Sequence, residues 1–257
     1  MTGLAAIVLA AGKGKRFHSD LPKVLHEAAG VPLLHWSLAA VHGIGGVDRV
    51  LVVVGHGRER VAESVCGVFP RVELVDQPEQ RGTGDAVARC RGPLRGFTGE
   101  VLVLPGDAPL IDAGSLCALV AEHRRQGAAV SLLTAVLPDP TGYGRIVRET
   151  GGLVRIIEHA DASPEVLAIR EVSTGFWCFD AAALFPALEG LSPDNAQGEL
   201  YLPDAAPVIQ VAGGRMVTVA GDPGTVRGVN DRVQLADAEQ ALLARMKARE
   251  EAVPPLF

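Results

Sequence analysis

The apolar positions of the chain form short β-branched runs that alternate with longer segments of helical periodicity. The apolar runs cover residues 4–10, 49–54, 72–75, 100–104 and 129–135, and the helical segments cover residues 32–41, 58–66, 83–91 and 112–125. Such alternation is typical of a mostly parallel sheet with helices on both faces. We therefore predict an α/β fold. Asp112 is a suitable N-cap for the helix that follows it.

The pattern changes after about residue 138. Three strand-like pieces, "YGRIVRE", "GLVRIIEH" and "EVSTGFWCFD", are separated by Gly, Pro and Asp rather than by long helices. They predict a small antiparallel extension that forms one wall of a cleft and is not an independent domain. A last helix is expected over residues 232–251, ended by "VPPLF". We expect one domain over residues 1–257, with parts at about 1–138 and 139–230 and a C-terminal helix in 231–257.

Composition narrows the class of protein. Hydrophobic residues make up 48% of the chain and charged residues 21%, which suits a folded domain with a sizeable core. A net charge of −6 argues against nucleic-acid binding as the main function. No apolar run is long enough to span a membrane, and the cationic residues follow the first apolar run, unlike those of a signal peptide. The four cysteines form no C-x-x-C pair, so we predict a cytoplasmic protein with reduced thiols.

The first strand leads directly into the segment "LAAGKGKR". Its small residues allow a ligand to approach the backbone, whose N–H groups can bind an anion. Lys13, Lys15 and Arg16 add positive charge to the same turn. The segment has neither the Walker A nor the G-x-G-x-x-G spacing, which argues against a P-loop enzyme and an NAD-dependent dehydrogenase. A tight turn with solvated lysines remains an alternative.

Further candidates lie at the ends of later elements. Gly82 and Thr83 begin a helix, where free N–H groups favour anions and acceptors, although Thr83 could be only a cap. Asp107 follows a buried strand, where one carboxylate together with substrate phosphates would suit Mg²⁺. The alternative for Asp107 is a turn residue before Pro109. Asn230 could complete the metal site or could be the N-cap of the last helix.

The ordered combination of motifs resembles the uridyltransferase half of the bacterial bifunctional N-acetylglucosamine-1-phosphate uridyltransferase/glucosamine-1-phosphate acetyltransferase family. The similar stretches are "LAAGKGKR", "SDLPKVLH", "QRGTGDAV", "GDAPLI", "DPTGYGRIVRE", "IIEHADA", "NAQGELYLPD" and "GVNDRVQLA". The resemblance implies a Rossmann-like sheet with a small antiparallel sugar-binding extension, the fold of nucleotide-diphospho-sugar transferases. It also implies that UTP and N-acetylglucosamine 1-phosphate react to give UDP-N-acetylglucosamine and pyrophosphate with Mg²⁺ as cofactor.

The resemblance also assigns roles to particular positions. Arg16 and Lys23 would contact phosphates, and Asp107 and Asn230 would bind Mg²⁺. Nucleotide-binding residues would be Leu9, Ala10, Ala11, Gly12, Gln77, Gly82 and Thr83. Of these, Gln77 and the backbone around Gly82 and Thr83 would read the uracil. Gly144 and Glu158 would hold the sugar, together with Ser173 at the sugar-binding strand.

Some positions depart from the family pattern. The family commonly has Asn at Ser173, Lys at Ala160, His at Asp85, Thr at Lys15 and often an aromatic residue at Pro105. The first two departures bear on the sugar, so a nucleotidyltransferase for another sugar 1-phosphate such as glucose 1-phosphate, even with dTTP, is an alternative. A non-catalytic sugar-nucleotide sensor is a second alternative. The family's acetyltransferase β-helix and its trimer contacts have no counterpart in the sequence, so we expect no acetyl transfer and a monomer or weak oligomer.

Overall fold

A central mixed sheet organises the molecule in the computed structural model, which describes residues 3–150 and 152–252. In sheet order, seven of its strands run β11-β7-β10-β6-β1-β4-β5, and β8 and β9 attach to β10. A separate two-stranded ribbon is formed by β2 and β3. The strands are β1 Gly3–Ala10, β2 Glu27–Ala28, β3 Val31–Pro32, β4 Arg49–Val54, β5 Val72–Asp76, β6 Gly99–Pro105, β7 Val130–Val136, β8 Arg145–Arg148, β9 Val154–Ile157, β10 Glu171–Asp180 and β11 Met216–Ala220.

Helices cover both faces of this sheet. They are α1 Leu33–Ile44, α2 Arg58–Cys66, α3 Thr83–Ala88, α4 Ala113–Gln126, α5 Pro164–Leu167, α6 Ala181–Glu189, α7 Ala205–Val211 and α8 Arg232–Ala252. Apolar residues of α1, α2 and α4 pack on one face, and those of α3, α6 and α7 pack on the other. Strand β1 serves both layers, since Val8 points into the first and Ile7 into the second. The α/β fold predicted from the alternating pattern is confirmed.

The piece "EVSTGFWCFD" was expected in the antiparallel extension, and this expectation was only partly right. Its first half joins the antiparallel extension by pairing with β8 at Val172 and Arg145, and it also pairs with β7 from Glu171 to Ser173. Its second half lies inside the main sheet as an antiparallel strand between β6 and β7, where Trp177 pairs with both Val103 and Leu132. Trp177 is almost completely buried. Burial of this large apolar side chain favours the position of the strand inside the main sheet. The two sequence parts therefore share one sheet.

Several elements were not predicted. The pattern in "AAALFPALE" is interrupted by Pro186, yet it forms α6, while α7 and β11 are short. Short elements carry a weak periodic signal, and tertiary packing decides them. The last helix was predicted correctly from residue 232, and its expected ending at 253–257 lies outside the described residues. Asp112 caps α4 as predicted, its side chain accepting a bond of 2.7 Å from the Ser115 amide.

Candidate active site

The carboxyl ends of three parallel strands surround a cleft of about 710 Å³. Strand β1 ends in the glycine-rich segment, β5 is followed by Gln77, and β6 is followed by Asp107. Ligand sites of open α/β sheets lie at this edge. The cleft is lined by Leu9, Ala10, Ala11, Gly12, Lys13, Gly14, Lys23, Val24, Gln77, Pro78, Glu79, Gln80, Gly82, Thr83, Ala86, Pro105, Asp107 and Glu199. All seven residues expected at the nucleotide are in this wall.

The glycine-rich segment is shaped by Lys23, which packs beneath it. Gly14 has φ +58°, and a Cβ at this position would lie 2.6 Å from the Lys23 Cβ. Glycine therefore permits both the left-handed backbone and the close approach of the lysine. Arg16 is exposed in the adjoining turn, is not part of the cleft wall, and forms no ion pair with the part of the chain that the structure describes. The side chain of Lys15 is outside that part.

Lys23, Asp107 and Asn230 meet at the edge of the cleft. The Lys23 Nζ forms an ion pair with the Asp107 carboxylate and donates a hydrogen bond of 3.3 Å to the Asn230 Oδ1. These side chains come from three segments far apart in sequence. Both oxygens reach the same nitrogen, so they are close enough to face one cation.

The segment before α8 is attached to Asp107 by its backbone. The Val229 amide donates a hydrogen bond of 2.8 Å to the carbonyl of Asp107. The alternative that Asn230 caps α8 is wrong, because the Asp231 carboxylate accepts from the Gln234 amide and the Gln234 side chain accepts from the Asn230 amide. The side chain of Asn230 is therefore left to face Lys23.

The donor set fits a hard cation that also binds phosphates. Mg²⁺ prefers oxygen ligands and is commonly held by one or two protein oxygens together with substrate phosphates and water. One carboxylate and one amide oxygen at the edge of the cleft match this pattern. No cluster of three or more His, Cys, Asp or Glu side chains that could hold a metal occurs in residues 3–150 and 152–252, so the described protein offers no complete cage of its own.

The turn at Gly82 and Thr83 is fixed by the segment 199–202. Gly82 has φ +106°, and a Cβ there would lie 2.4 Å from the Leu200 carbonyl oxygen. The Thr83 hydroxyl accepts a hydrogen bond of 3.0 Å from the Leu202 amide, 119 positions away. Capping therefore does not explain Thr83. Its hydroxyl joins the turn to a distant segment, which also contributes Glu199 to the cleft.

Gln77 and Asp85 form a buried polar pair behind this turn. Their exposed fractions are 3% and 7%. The Gln77 Nε2 donates to the Gly82 carbonyl at 3.0 Å and to the Asp85 Oδ2 at 2.8 Å. The Asp85 Oδ1 accepts from Arg89 at 3.1 Å. Asp85, noted in the sequence only as a departure from the family pattern, is thus directly connected to a residue of the cleft wall.

The expected sugar residues cluster together but are not in the wall of this cleft. The Ser173 amide donates to the Gly144 carbonyl at 2.8 Å, and a Cβ at Gly144 would lie 3.1 Å from the Glu158 Oε1. Glu158 instead lines a separate concavity of about 390 Å³. Burial raises the pKa of the Glu158 carboxyl to about 7, and the carboxylates of Asp204 and Asp161 act in the same direction.

Strand β10 links the two groups of residues. Its register against β7 shifts between Ser173 and Trp177, and Gly175 in this irregularity has φ +81°. A Cβ at Gly175 would lie 3.7 Å from the ring of Pro105, which lines the cleft. Gly175, two residues after Ser173, therefore lies next to the cleft wall at Pro105.

Six residues of the cleft wall were missed in the sequence, namely Val24, Pro78, Glu79, Gln80, Ala86 and Glu199. Pro78, Glu79 and Gln80 follow β5 directly, and the available signal was their position at a strand end. Glu199 belongs to the motif "NAQGELYLPD", which was noted for its resemblance but given no site residue. Asn195 of this motif organises the loop, since its Oδ1 accepts from the Gln197 and Glu199 amides, each at 3.2 Å.

Solved structures share this fold. A UDP-glucose pyrophosphorylase complexed with UDP-glucose superposes with a TM-score of 0.77 at 16% identity, covering 95% of this chain and all of the other. A Bacillus anthracis protein assigned as a glucose-1-phosphate thymidylyltransferase, solved with sucrose, gives a TM-score of 0.76 at 20% identity and covers 95% of this chain and 96% of the other. The nucleotide-diphospho-sugar transferase fold expected from the sequence is confirmed.

Residues 6–202 match the MobA-like NTP transferase domain, and the chain belongs to this family. The predicted enzyme class, a nucleotidyltransferase, is thereby confirmed. Similar relatives include the bifunctional protein GlmU of Pelotomaculum thermopropionicum, 47% identical over 95% of this chain and 53% of the relative. The bifunctional protein GlmU of Geobacter metallireducens is 45% identical over 98% of this chain and 52% of the relative. The chain spans about half the length of these curated relatives.

No described helix is long and apolar enough to cross a membrane.

Proposed function

We propose that this chain transfers a uridylyl group from UTP to N-acetylglucosamine 1-phosphate, giving UDP-N-acetylglucosamine and pyrophosphate. The observation that carries the proposal is the meeting of Lys23, Asp107 and Asn230 at the edge of a cleft lined by a glycine-rich segment. The identity of 45–47% with bifunctional GlmU proteins over nearly the whole chain supports the same reaction.

The chemistry requires no covalent protein intermediate. A phosphate oxygen of the sugar phosphate attacks the α-phosphorus of UTP in line, forming a new P–O bond. The bond from the α-phosphorus to the bridging oxygen breaks, and that oxygen leaves with the β- and γ-phosphates as pyrophosphate. Catalysis of this kind depends on positioning and on neutralising charge. Lys23 neutralises phosphate charge from the cleft wall, and Arg16 does so from the adjoining exposed turn.

The proposed cofactor is Mg²⁺, held by the Asp107 carboxylate and the Asn230 amide oxygen. When bound, it supplies positive charge that brings the two phosphate-bearing substrates together. For this to happen the ammonium group of Lys23 has to leave the two oxygens, and its flexible side chain can turn toward the nucleotide phosphates. Asp107 and Asn230 would then hold Mg²⁺, and Lys23 would contact phosphate.

The sugar is proposed to bind at Gly144, Glu158 and Ser173. Gly144 leaves room beside the Glu158 carboxyl, which can accept hydrogen bonds from sugar hydroxyls. Ser173 has a shorter side chain than the Asn usual at this position of the family, and this favours a second candidate, transfer to another sugar 1-phosphate such as glucose 1-phosphate. A nucleotide sensor is less well supported, because the phosphate-binding and metal-binding side chains are retained together.

We also propose that residues 1–257 act as one nucleotidyltransferase domain, a monomer or weak oligomer of the cytoplasm. The sharing of one sheet by both sequence parts supports the first point. The cysteines are free thiols, which suits a reducing compartment.

The test is pyrophosphate release from a panel of nucleoside triphosphates and sugar 1-phosphates, with and without Mg²⁺. The expected result is the highest kcat/KM for UTP with N-acetylglucosamine 1-phosphate and loss of activity when the metal is chelated. A higher kcat/KM for glucose 1-phosphate would favour the second candidate. Binding of UTP without pyrophosphate release from any pair would favour the sensor.

A further inference from the structure

The orientation of the Gln77 side-chain amide is determined by its partners. The Gly82 carbonyl and the Asp85 carboxylate both accept hydrogen bonds, and both meet the same end of the amide. Two acceptors can be satisfied only by the NH₂ end, so the nitrogen must lie there and the oxygen at the other end. The chemistry of the two partners alone fixes this orientation.

The other end of the amide is available to a ligand. Gln77 is in the wall of the cleft, beside Gly82 and Thr83. No group in residues 3–150 and 152–252 donates a hydrogen bond to the Gln77 Oε1, whereas its Nε2 is bonded twice. A ligand that reaches this position therefore meets a fixed acceptor and not a donor.

Of the two acceptors that hold the Gln77 amide, only Asp85 accepts with a side chain. It is buried to 7% exposure, and Arg89 binds its second oxygen, which fixes the carboxylate from behind. The chain from Arg89 through Asp85 to Gln77 is continuous, with distances of 3.1 and 2.8 Å. The Gly82 carbonyl adds a second bond from the backbone, which a side-chain substitution leaves in place.

We propose that Asp85 is a positioning residue for base recognition, which holds the Gln77 amide so that its oxygen faces the nucleotide. This inference rests on the proposed function, in which UTP binds in the cleft, and on the family resemblance, which places Gln77 at the uracil. Uracil carries an N–H at N3, which a fixed acceptor satisfies. Cytosine carries a lone pair at N3, which a fixed acceptor repels. A buried polar group left without its partner is costly, so this geometry selects UTP over CTP.

The substitution Asp85→Asn tests this with almost no change in volume. Arg89 offers only donors, so the oxygen of the new amide turns to Arg89 and its NH₂ group faces the NH₂ of Gln77. The Gln77 amide then keeps only the Gly82 carbonyl as an acceptor, and its orientation is held less firmly. We expect the Kd for UTP, measured by titration calorimetry without sugar phosphate, to rise about tenfold, and the UTP-to-CTP preference to fall by a similar factor.

The matched control is Asp76→Asn. Asp76 precedes Gln77, is also paired with an arginine, Arg58, and is exposed at the end of β5. The same carboxylate-to-amide change there does not touch the Gln77 amide. We expect wild-type Kd values for both nucleotides in this variant. A fall in UTP-to-CTP preference equal to that of Asp85→Asn would overturn the proposal, because it would show a general charge effect.

A double-mutant cycle with Gln77→Ala separates positioning from a merely structural role. If Asp85 acts through Gln77, the Asp85→Asn change produces no further loss of base preference in the Gln77→Ala background. Equal, independent losses in both backgrounds would overturn the proposal. If Asp85→Asn does not fold, the test uses Arg89→Gln. This substitution keeps the Asp85 carboxylate and removes only its ion pair with Arg89. It should raise the Kd for UTP about threefold, and an unchanged Kd and base preference would refute the mechanism.

Failure of the proposed function would look different. Wild-type protein that binds UTP in preference to CTP, but releases no pyrophosphate with N-acetylglucosamine 1-phosphate, would disprove the proposed reaction and leave the base selection measurable. Wild-type turnover of UTP and CTP with equal kcat/KM and equal Kd would disprove the role of Asp85 and leave the reaction intact.

Discussion

The side-chain oxygen of Asn230 lies 3.3 Å from the ammonium nitrogen of Lys23, although the two residues are 207 positions apart in sequence. The same nitrogen is paired with the carboxylate of Asp107. A cationic group thus stands between the two oxygens proposed to bind Mg²⁺. The Lys23 ammonium group therefore gives both oxygens a partner when no metal is bound. Substitution of each of the three side chains should have a different effect.

Asp107→Ala should lower kcat by about 10²–10³, because one strong charge-stabilising contact of the transition state is lost. The melting temperature should change little, since the carboxylate lies at the edge of the cleft. The matched control is Asp112→Ala, which removes the cap of α4 and should cost about 1 kcal/mol of stability while leaving kcat unchanged. Near-normal Mg²⁺-dependent turnover in Asp107→Ala would remove this residue from the metal site.

Lys23→Ala should lower kcat about a hundredfold and affect the melting temperature much less, because its charge serves the phosphates. Lys23→Arg keeps the charge and should recover part of the rate, though its planar head group fits a point-charge position poorly. Steady-state pyrophosphate release and thermal unfolding measure the two effects. A loss confined to stability would show that the ammonium group serves only as a structural partner of Asp107.

Asn230→Ala should raise the Mg²⁺ concentration needed for half-maximal activity, because one of two protein ligands is removed. The helix should remain stable, since Asp231 provides the cap. Asp231→Ala should show the opposite pattern, with about 1 kcal/mol less stability and an unchanged metal requirement. Titration with Mg²⁺ and urea unfolding of both variants distinguish the two roles. Equal metal requirements in wild type and Asn230→Ala would contradict the assignment.

Gly82→Ala should destabilise the fold by about 3 kcal/mol, because the new Cβ meets a backbone oxygen and the positive φ is strained for alanine. The clash is with the Leu200 carbonyl at 2.4 Å. Gly92→Ala is the control, since its φ of −61° suits alanine and nothing lies within 4 Å of the added carbon. Urea unfolding measures the free energy of unfolding of both variants. Equal values would show that the turn adjusts to the added Cβ without cost.

The raised pKa of Glu158, about 7 instead of 4.5, predicts a pH-dependent stability. The folded protein binds this proton more tightly than the unfolded chain, so the contribution is present below pH 4.5 and is lost as the pH rises through 7. Glu158→Gln imitates the protonated form. Its melting temperature relative to wild type should therefore be higher at about pH 8 than at about pH 5. An equal difference at both pH values would show that the carboxyl is not stabilised in its neutral form.

Much of the fold could be predicted from the chain because its signals are local. Runs of β-branched residues marked five strands within one residue, regular periodicity marked α1 to α4 within three residues, and Asp112 marked a helix start. The place of Trp177 could not be predicted, because an apolar strand carries no sign of which neighbours it will join. The segment 181–189 was missed because Pro186 interrupts its pattern although tertiary packing holds it helical.

The sequence by itself determined the alternation of strand and helix, the glycines at strand ends and the residue types that suit phosphate and Mg²⁺, because these depend on composition and spacing along the chain. Only the tertiary structure decided that Asn230 faces Lys23 while Asp231 caps the helix, and that Asp85 orients Gln77. Both depend on distances between side chains from separate segments, and hydrogen bonds act only at such short range. The local sequence pattern does not show which residue from a distant segment will come within hydrogen-bond distance of a given side chain.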